Sequence, residues 1–387
     1  MTDRITIFGY GPVGRAAVTR LVAEGREVVV AQRRAPPDLA KGATFAPCDA
    51  LDREAVVKAA RGAGQFVVAI GFAYSGVIWR EAWPKAIGNF VAACKATGAR
   101  MAFIDNLYMY GPQTTPLVET MPVTDTGLKP AARAAATRIR MDAAAKGEAL
   151  ITALRAADFY GPGVGNSYLG DTSIGKLAQG KPAVFVGSPD VLHDYAYVPD
   201  IARAVTTLLA APDSAFGQAW HVPCASTRST RDILAIAAET LGVKLRISAM
   251  PAWMLGASAM FSPFLRELVE MRFQWDRPYH VDASRFASAF WADATPFETG
   301  VSETAHSFRA ALNRRRRNCS GSGEPDRAPV RTGIRADRPA AGYRVFVHLP
   351  NRGLTAVVLK KDVGTAAIGS DGVPTRSGIG ADRSAAR

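Results

Sequence analysis

Apolar positions along the chain fall into short, largely uninterrupted runs separated by longer stretches in which they recur at helical spacing. The runs at 5–8, 28–31, 44–46, 66–70, 101–104 and 151–154 have the length and composition of buried strands. Helical stretches fill the gaps at 15–23, 52–61 and 83–97. Asp52 is placed to cap the second helix, while Gly62 and Gly98 are placed to end the second and third. Such alternation predicts an α/β fold with a doubly wound parallel sheet covered on both faces. After 158–163 the pattern loosens into Gly- and Ser-rich loops, then returns to helices at 200–209 and 230–241. That change predicts a smaller C-terminal lobe over the carboxyl edge of the sheet. The expected division is 1–155 for the sheet domain, 156–313 for a lobe with segments returning to it, and 314–387 for a tail.

The tail is expected to be disordered. It opens on Arg314-Arg315-Arg316-Arg317, is rich in Gly, Pro, Ala and Arg, and repeats an eleven-residue motif at 331–341 and 376–386. A transient hairpin at 343–361 is the most structure it suggests. The tail also accounts for most of the charge: of a formal +13 over 387 residues, 15 basic and 6 acidic residues lie from Arg314 onward. The body does not interleave basic and aromatic residues as a base-stacking surface does, so nucleic acid is not an expected partner. Cys48, Cys94, Cys224 and Cys319 have no CxxC spacing, which argues against a metal site or a disulfide framework and suits a reducing cytoplasm. No charged leader with an apolar core opens the chain, and a cytoplasmic location is expected. The apolar run 250–261 is too short and too interrupted for membrane insertion and is expected in the core of the second lobe.

The chemistry begins at the first strand's end, where Gly9-Tyr10-Gly11-Pro12-Val13-Gly14 leads directly into a helix. Gly9 permits the tight turn, Gly11 lets backbone approach a pyrophosphate, and Gly14 lets helix pack on strand; Pro12 and Val13 lie between them in the same loop. The second strand then runs out into Gln32-Arg33-Arg34 instead of an acid that would accept from the ribose hydroxyls. Two guanidiniums there can hold a 2′-phosphate by bidentate bonds, which favours NADP, with NAD the alternative.

These features, with Asp49, Ala69-Ile70-Gly71, the segment 105–112, the segment 158–163 and the segment 193–202, resemble the short-chain dehydrogenase/reductase superfamily over roughly residues 3–312. The likeness is to its NAD-dependent epimerase/dehydratase branch and to atypical, NmrA-like relatives. It implies a Rossmann sheet, an adenine contact from Asp49, cofactor lying along Ala69, Ile70 and Gly71, and substrate contacts from the segment carrying His193 and Tyr195. It also implies oxidoreductase chemistry on a small-molecule substrate, and homodimers are common among relatives. The glycine spacing departs from the usual branch pattern, since Phe8 stands where its first glycine would be.

A second departure concerns the reaction. The family pairs a Tyr with a Lys one helical turn later, so that the cation eases the phenol's proton transfer. No Tyr here has that Lys, and Ala136 and Arg140 stand at the plausible positions. Asp105 or Asn106 replaces the usual Ser or Thr. The expected catalytic set is therefore Tyr108, Asn106 and Arg140, with Tyr108 set beside Arg140 to restore the lost electrostatics. Phe72, Tyr160, His193 and Tyr195 are the expected substrate contacts, and Tyr160 and His193 are also alternative acids. An NADP-dependent oxidoreductase or epimerase is the leading expectation. A non-catalytic NADP(H)-binding redox sensor is the alternative, and a scaffold that has lost the nucleotide is a third.

Overall fold

The six apolar runs become the strands of one parallel sheet in the computed structural model, which describes residues 3–320. They are β1 (Ile5–Phe8), β2 (Val28–Gln32), β3 (Ala43–Pro47), β4 (Gln65–Val68), β5 (Arg100–Asp105) and β6 (Ile151–Arg155). Later strands are β7 (Asp158–Tyr160), β8 (Ala183–Val186), β9 (Leu192–His193), β10 (Tyr195–Tyr197) and β11 (Ala219–His221), the last of which returns to pair with β6. The sheet order is β11-β6-β5-β4-β1-β2-β3, with every pairing parallel. Order reverses between β1 and β4, and ligands bind at such a switch point, outside the carboxyl ends of the strands.

Pleating divides the core. Ile5 and Ile7 face one layer, which holds α1 (Pro12–Ala23), while Phe8 faces the other with Phe66, Val68 and Phe103. The second layer contains α2 (Arg53–Ala60), α3 (Gly76–Thr97) and α4 (Leu128–Ala145). Asp52 caps α2 by accepting from the Glu54 and Ala55 N–H groups, and Gly98 ends α3 at φ +71°. The chain beyond β6 contributes α5 (Ile174–Ala178), α6 (Val198–Ala210), α7 (Thr230–Leu241), α8 (Ala252–Ala259), α9 (Pro263–Glu270), α10 (Ser284–Ala289) and α11 (Phe297–Ser320). Of these, α6 packs back on α1, and α11 packs on α7 through Val301 and Ala305.

Two features differ from the sequence reading. Within 250–261 Leu255 and Ala259 are buried, but Trp253, Met260 and Phe261 are each more than two-thirds exposed, so the run is only half core. The last helix continues to Ser320, taking in the arginine run expected to open the tail; Ala, Leu and Arg are strong helix formers. The rest of the tail, with its repeat and hairpin, lies outside the described residues. Among the described residues no helix is long and apolar enough to cross a membrane, and no group of His, Cys, Asp or Glu is arranged to hold a metal.

Candidate active site

At the end of β1 the backbone is close-packed on two sides and open on the third. Gly9 adopts φ +96°, and a Cβ there would lie 2.5 Å from the Ala69 carbonyl oxygen. A Cβ on Gly14 would lie 2.1 Å from the Gly9 carbonyl oxygen, because α1 comes directly off the turn. Around Gly11 a Cβ would meet nothing within 4 Å. Gly11 is also the N-cap of α1, with no side-chain cap and with Pro12 in the first helical turn, while Val13 and Gly14 are buried beneath it. The first turn thus presents N–H groups and the positive end of a helix dipole at an open glycine, the arrangement that cradles a pyrophosphate.

The loop after β2 is tied to this turn. Gln32 Oε1 accepts from the Tyr10 N–H at 3.1 Å and Gln32 Nε2 donates to the Arg34 carbonyl at 2.8 Å, so one carboxamide joins the glycine loop to the strand end. Tyr10 Oη accepts from the Ala40 N–H, and Arg15 pairs with Asp38, whose carboxyl it holds below the usual range. Arg33 and Arg34 are exposed there, and neither guanidinium has a partner among the described residues. Asp49, after β3, is exposed and accepts from the Leu51 N–H at 2.9 Å through one oxygen. Ala69 bonds β1 through its N–H, and Ile70, half-buried, and Gly71, exposed, continue the turn beside the loop.

Beyond β5 the sequence-selected groups separate. Arg140 is buried, donates to Asp105 Oδ2 at 2.6 Å and to Thr137 Oγ1 at 3.1 Å, and lies over the Phe103 ring. Burial pushes its guanidinium down to about 10, against the opposing pull of Asp105. Arg133 binds the other Asp105 oxygen and stacks 3.8 Å over Trp83. Tyr108 stacks instead on Trp79 and faces Tyr74, and none of its contacts is with Arg140. Burial, then Tyr74 and the charge of Asp158, raise the Tyr108 phenol well above its ordinary range, so it stays protonated. Asn106 Oδ1 accepts from the Tyr108 N–H at 3.2 Å and fixes the turn that presents the ring.

The sequence reading passed over the groups surrounding this phenol pair. Lys129, in the first turn of α4, is wholly buried with its ammonium 4.7 Å from the Tyr74 ring centre. It pairs with Glu267 and with Glu270 at 2.7 Å. Those same carboxylates finish two helices: Glu267 accepts from the Gly76 N–H at the start of α3, and Glu270 from the Leu128 and Lys129 N–H groups at the start of α4. Lys129 carries no local signal beyond its odd place at a helix N-terminus, where a cation is disfavoured.

The expected substrate contacts are placed as follows. Phe72 packs edge-on against Trp83, half-buried. Tyr160 points into a separate apolar cluster against Tyr197, Phe297 and Gly300, with its hydroxyl unpartnered. Tyr195 is buried with its hydroxyl bonded to Thr230 at 2.8 Å. His193 is buried between Tyr195 and Tyr279, its Nε2 3.3 Å from Asp158. Of the four, Phe72 packs on the same apolar cluster as the phenol pair, while His193 lies beside Asp158.

A glycine turn leading into a helix at the reversal of an all-parallel sheet defines the class of Rossmann-type, dinucleotide-binding folds. Within that class the chain belongs to the NAD dependent epimerase/dehydratase family, whose model matches residues 5–222. No curated protein matches the sequence. Among solved structures it is similar to the UDP-glucose 4-epimerase of Thermus thermophilus in complex with NAD, at 20% identity and TM-score 0.64, over 80% of this chain and 99% of that one. It is likewise similar to the UDP-glucuronic acid 4-epimerase of Bacillus cereus with UDP-glucuronic acid and NAD, at 14% identity and TM-score 0.66, over 80% and 99%. The dTDP-glucose 4,6-dehydratase of Streptomyces venezuelae, with NAD and TYD bound, gives 16% identity and TM-score 0.65 over 80% and 98%.

Proposed function

We propose that this protein is a nicotinamide-dependent oxidoreductase or epimerase that passes hydride between cofactor and a small organic substrate held beneath the C-terminal lobe. The observation that carries the reading is the loop from Gly9 to Gly14, closed by backbone on two sides and open at Gly11, above an uncapped helix start. Those residues fit a dinucleotide pyrophosphate, with Asp49 at the adenine side and Ala69, Ile70 and Gly71 along its length. Bound nicotinamide would supply or take the hydride. Tyr108 is the proton donor in this reading, Asn106 sets its turn, and Arg140 acts through Asp105 as a positioning residue. The same reading divides the chain near residue 155 and treats it as a cytoplasmic homodimer.

The solved structures named above carry NAD, whereas the exposed pair Arg33 and Arg34 supports NADP here. Arg33→Ala with Arg34→Ala is expected to weaken NADPH binding at least tenfold, from the loss of charge-assisted bonds of about 1.5–3 kcal/mol each, and to leave NADH almost unchanged. Calorimetry with both nucleotides checks this, and an equal loss for both would remove the NADP assignment.

Catalysis is tested by NADPH oxidation across a panel of carbonyl and enone compounds. With a turned-over substrate, Tyr108→Phe is expected to lower kcat by about 10²–10⁴, the usual yield of a general acid, with dinucleotide affinity retained. If no compound is reduced, the enzymatic reading fails. One observation favours the sensor alternative: Ala136, where the family's phenol was expected, is wholly buried in the core between sheet and helices. A partner whose capture ignores the NADP+/NADPH ratio would remove that alternative.

A further inference from the structure

Asp158 opens β7 just beyond the carboxyl end of β6, on the edge where such sheets hold ligands. Its Oδ2 accepts from Trp275 Nε1 at 3.0 Å and lies 3.3 Å from His193 Nε2 without hydrogen-bond geometry. Among the described residues no Lys or Arg pairs with this carboxylate. Tyr168 lies on Trp275 with ring centres 4.2 Å apart, and His193 stacks on Tyr279 at 4.7 Å.

Several polar atoms of this cluster are shut off from solvent and have no protein partner. They include Tyr168 Oη and His193 Nε2, while the wholly buried Gln274 side chain shares a hydrogen bond with Tyr279 and keeps further amide capacity unused. Folded proteins satisfy nearly all such groups, so unpaired donors and acceptors gathered around one carboxylate mark a place that a polar ligand completes. The cluster also adjoins the proposed reaction centre. Burial first, and the Asp158 charge next, raise the phenols of Tyr168 and Tyr279, and the same charge reaches Tyr74 and Tyr108.

The chemistry of these groups restricts what can bind. Gln274 and Tyr168 offer donors, and Asp158 and Gln274 Oε1 offer acceptors. An anion would meet Asp158 with no cation to offset the repulsion. We infer that Asp158, Tyr168, His193 and Gln274 form the subsite for the substrate's polar head, a group rich in hydroxyls or bearing an ammonium and carrying no negative charge. This rests on the reading that the second lobe holds substrate. The two phosphates of a nucleoside diphosphate have the wrong charge for it.

The test uses the full chain loaded with dinucleotide and measures binding of methyl glucoside, glucosamine, glucose 6-phosphate and UDP-glucose by calorimetry. The neutral sugar, the amine or both are expected to bind at least about tenfold tighter than the two phosphorylated compounds. Tighter binding of the neutral compound assigns Asp158 as an acceptor from hydroxyls, and tighter binding of the amine assigns it as an ion-pair partner. Asp158→Asn keeps size and should shrink the charge discrimination to less than about threefold, with dinucleotide affinity unchanged. Tyr168→Phe removes only an unpartnered hydroxyl and should weaken the favoured ligand without restoring the anions. The proposal is overturned if UDP-glucose or glucose 6-phosphate binds tightest, if none of the four binds, or if Asp158→Asn leaves the discrimination intact. Loss of dinucleotide binding by the unaltered protein would instead be the failure of the broader functional reading.

Discussion

Gly14→Ala is expected to abolish dinucleotide binding and to destabilise the fold by roughly 3 kcal/mol or more, the upper range for overpacking against a rigid neighbour. The added methyl would lie 2.1 Å from the Gly9 carbonyl oxygen, and no side chain can rotate away to relieve the contact. Either α1 moves off β1 or the turn at Gly9 opens, and both displace the cradle. Gly11→Ala makes the contrast that separates binding from folding. Its methyl meets nothing within 4 Å, and its backbone φ of −72° suits alanine, so stability should change by no more than about 0.5 kcal/mol. Dinucleotide affinity should nonetheless fall, because the methyl enters the space assigned to pyrophosphate. Urea unfolding and calorimetry on the two variants give four numbers. Unchanged NADP(H) affinity in Gly11→Ala would mean that the phosphates lie elsewhere.

Asp105→Ala is expected to cost about 3–5 kcal/mol, the range for removing one partner from a buried ion pair. The site is more exacting than a single pair, since one carboxylate serves both Arg133 and Arg140, and all three side chains are at most 2% exposed. Without Asp105 two guanidiniums remain charged in the core between the sheet and α4. Asp105→Asn keeps shape and part of the hydrogen bonding and should lose less. Combining Asp105→Leu with Arg133→Met and Arg140→Met should recover most of the stability, because apolar residues of similar volume replace buried ion clusters well. A shift below about 1 kcal/mol in the denaturation of Asp105→Ala would show that water reaches the arginines.

Much of the fold was legible because parallel strands buried on both faces are continuous apolar runs, and because Asp52, Gly62 and Gly98 mark helix ends by local chemistry. The misses share a cause. The start of α3 at Gly76, ahead of the expected 83, depends on the carboxylate of Glu267, and β11 is a three-residue strand specified only by pairing with β6. Arg140 was expected beside Tyr108, but it lies a heptad after Arg133 and shares its helical face, so both arginines turn to Asp105. The glycine loop was readable because each glycine answers to its neighbours in the chain or to backbone close by. Lys129 and Gln274 were not readable, because what makes them notable is burial among residues distant in sequence.

Glu267 and Glu270, which complete the first turns of α3 and α4, come late in the chain, 191 positions after Gly76 and 142 after Leu128. During synthesis from the amino end, the nucleotide half therefore emerges with two frayed helix starts that only the last third of the polypeptide can tie off. The starts of α3 and α4 are therefore tied off in the same event that docks α9, and a nascent chain cut short of α9 leaves both open.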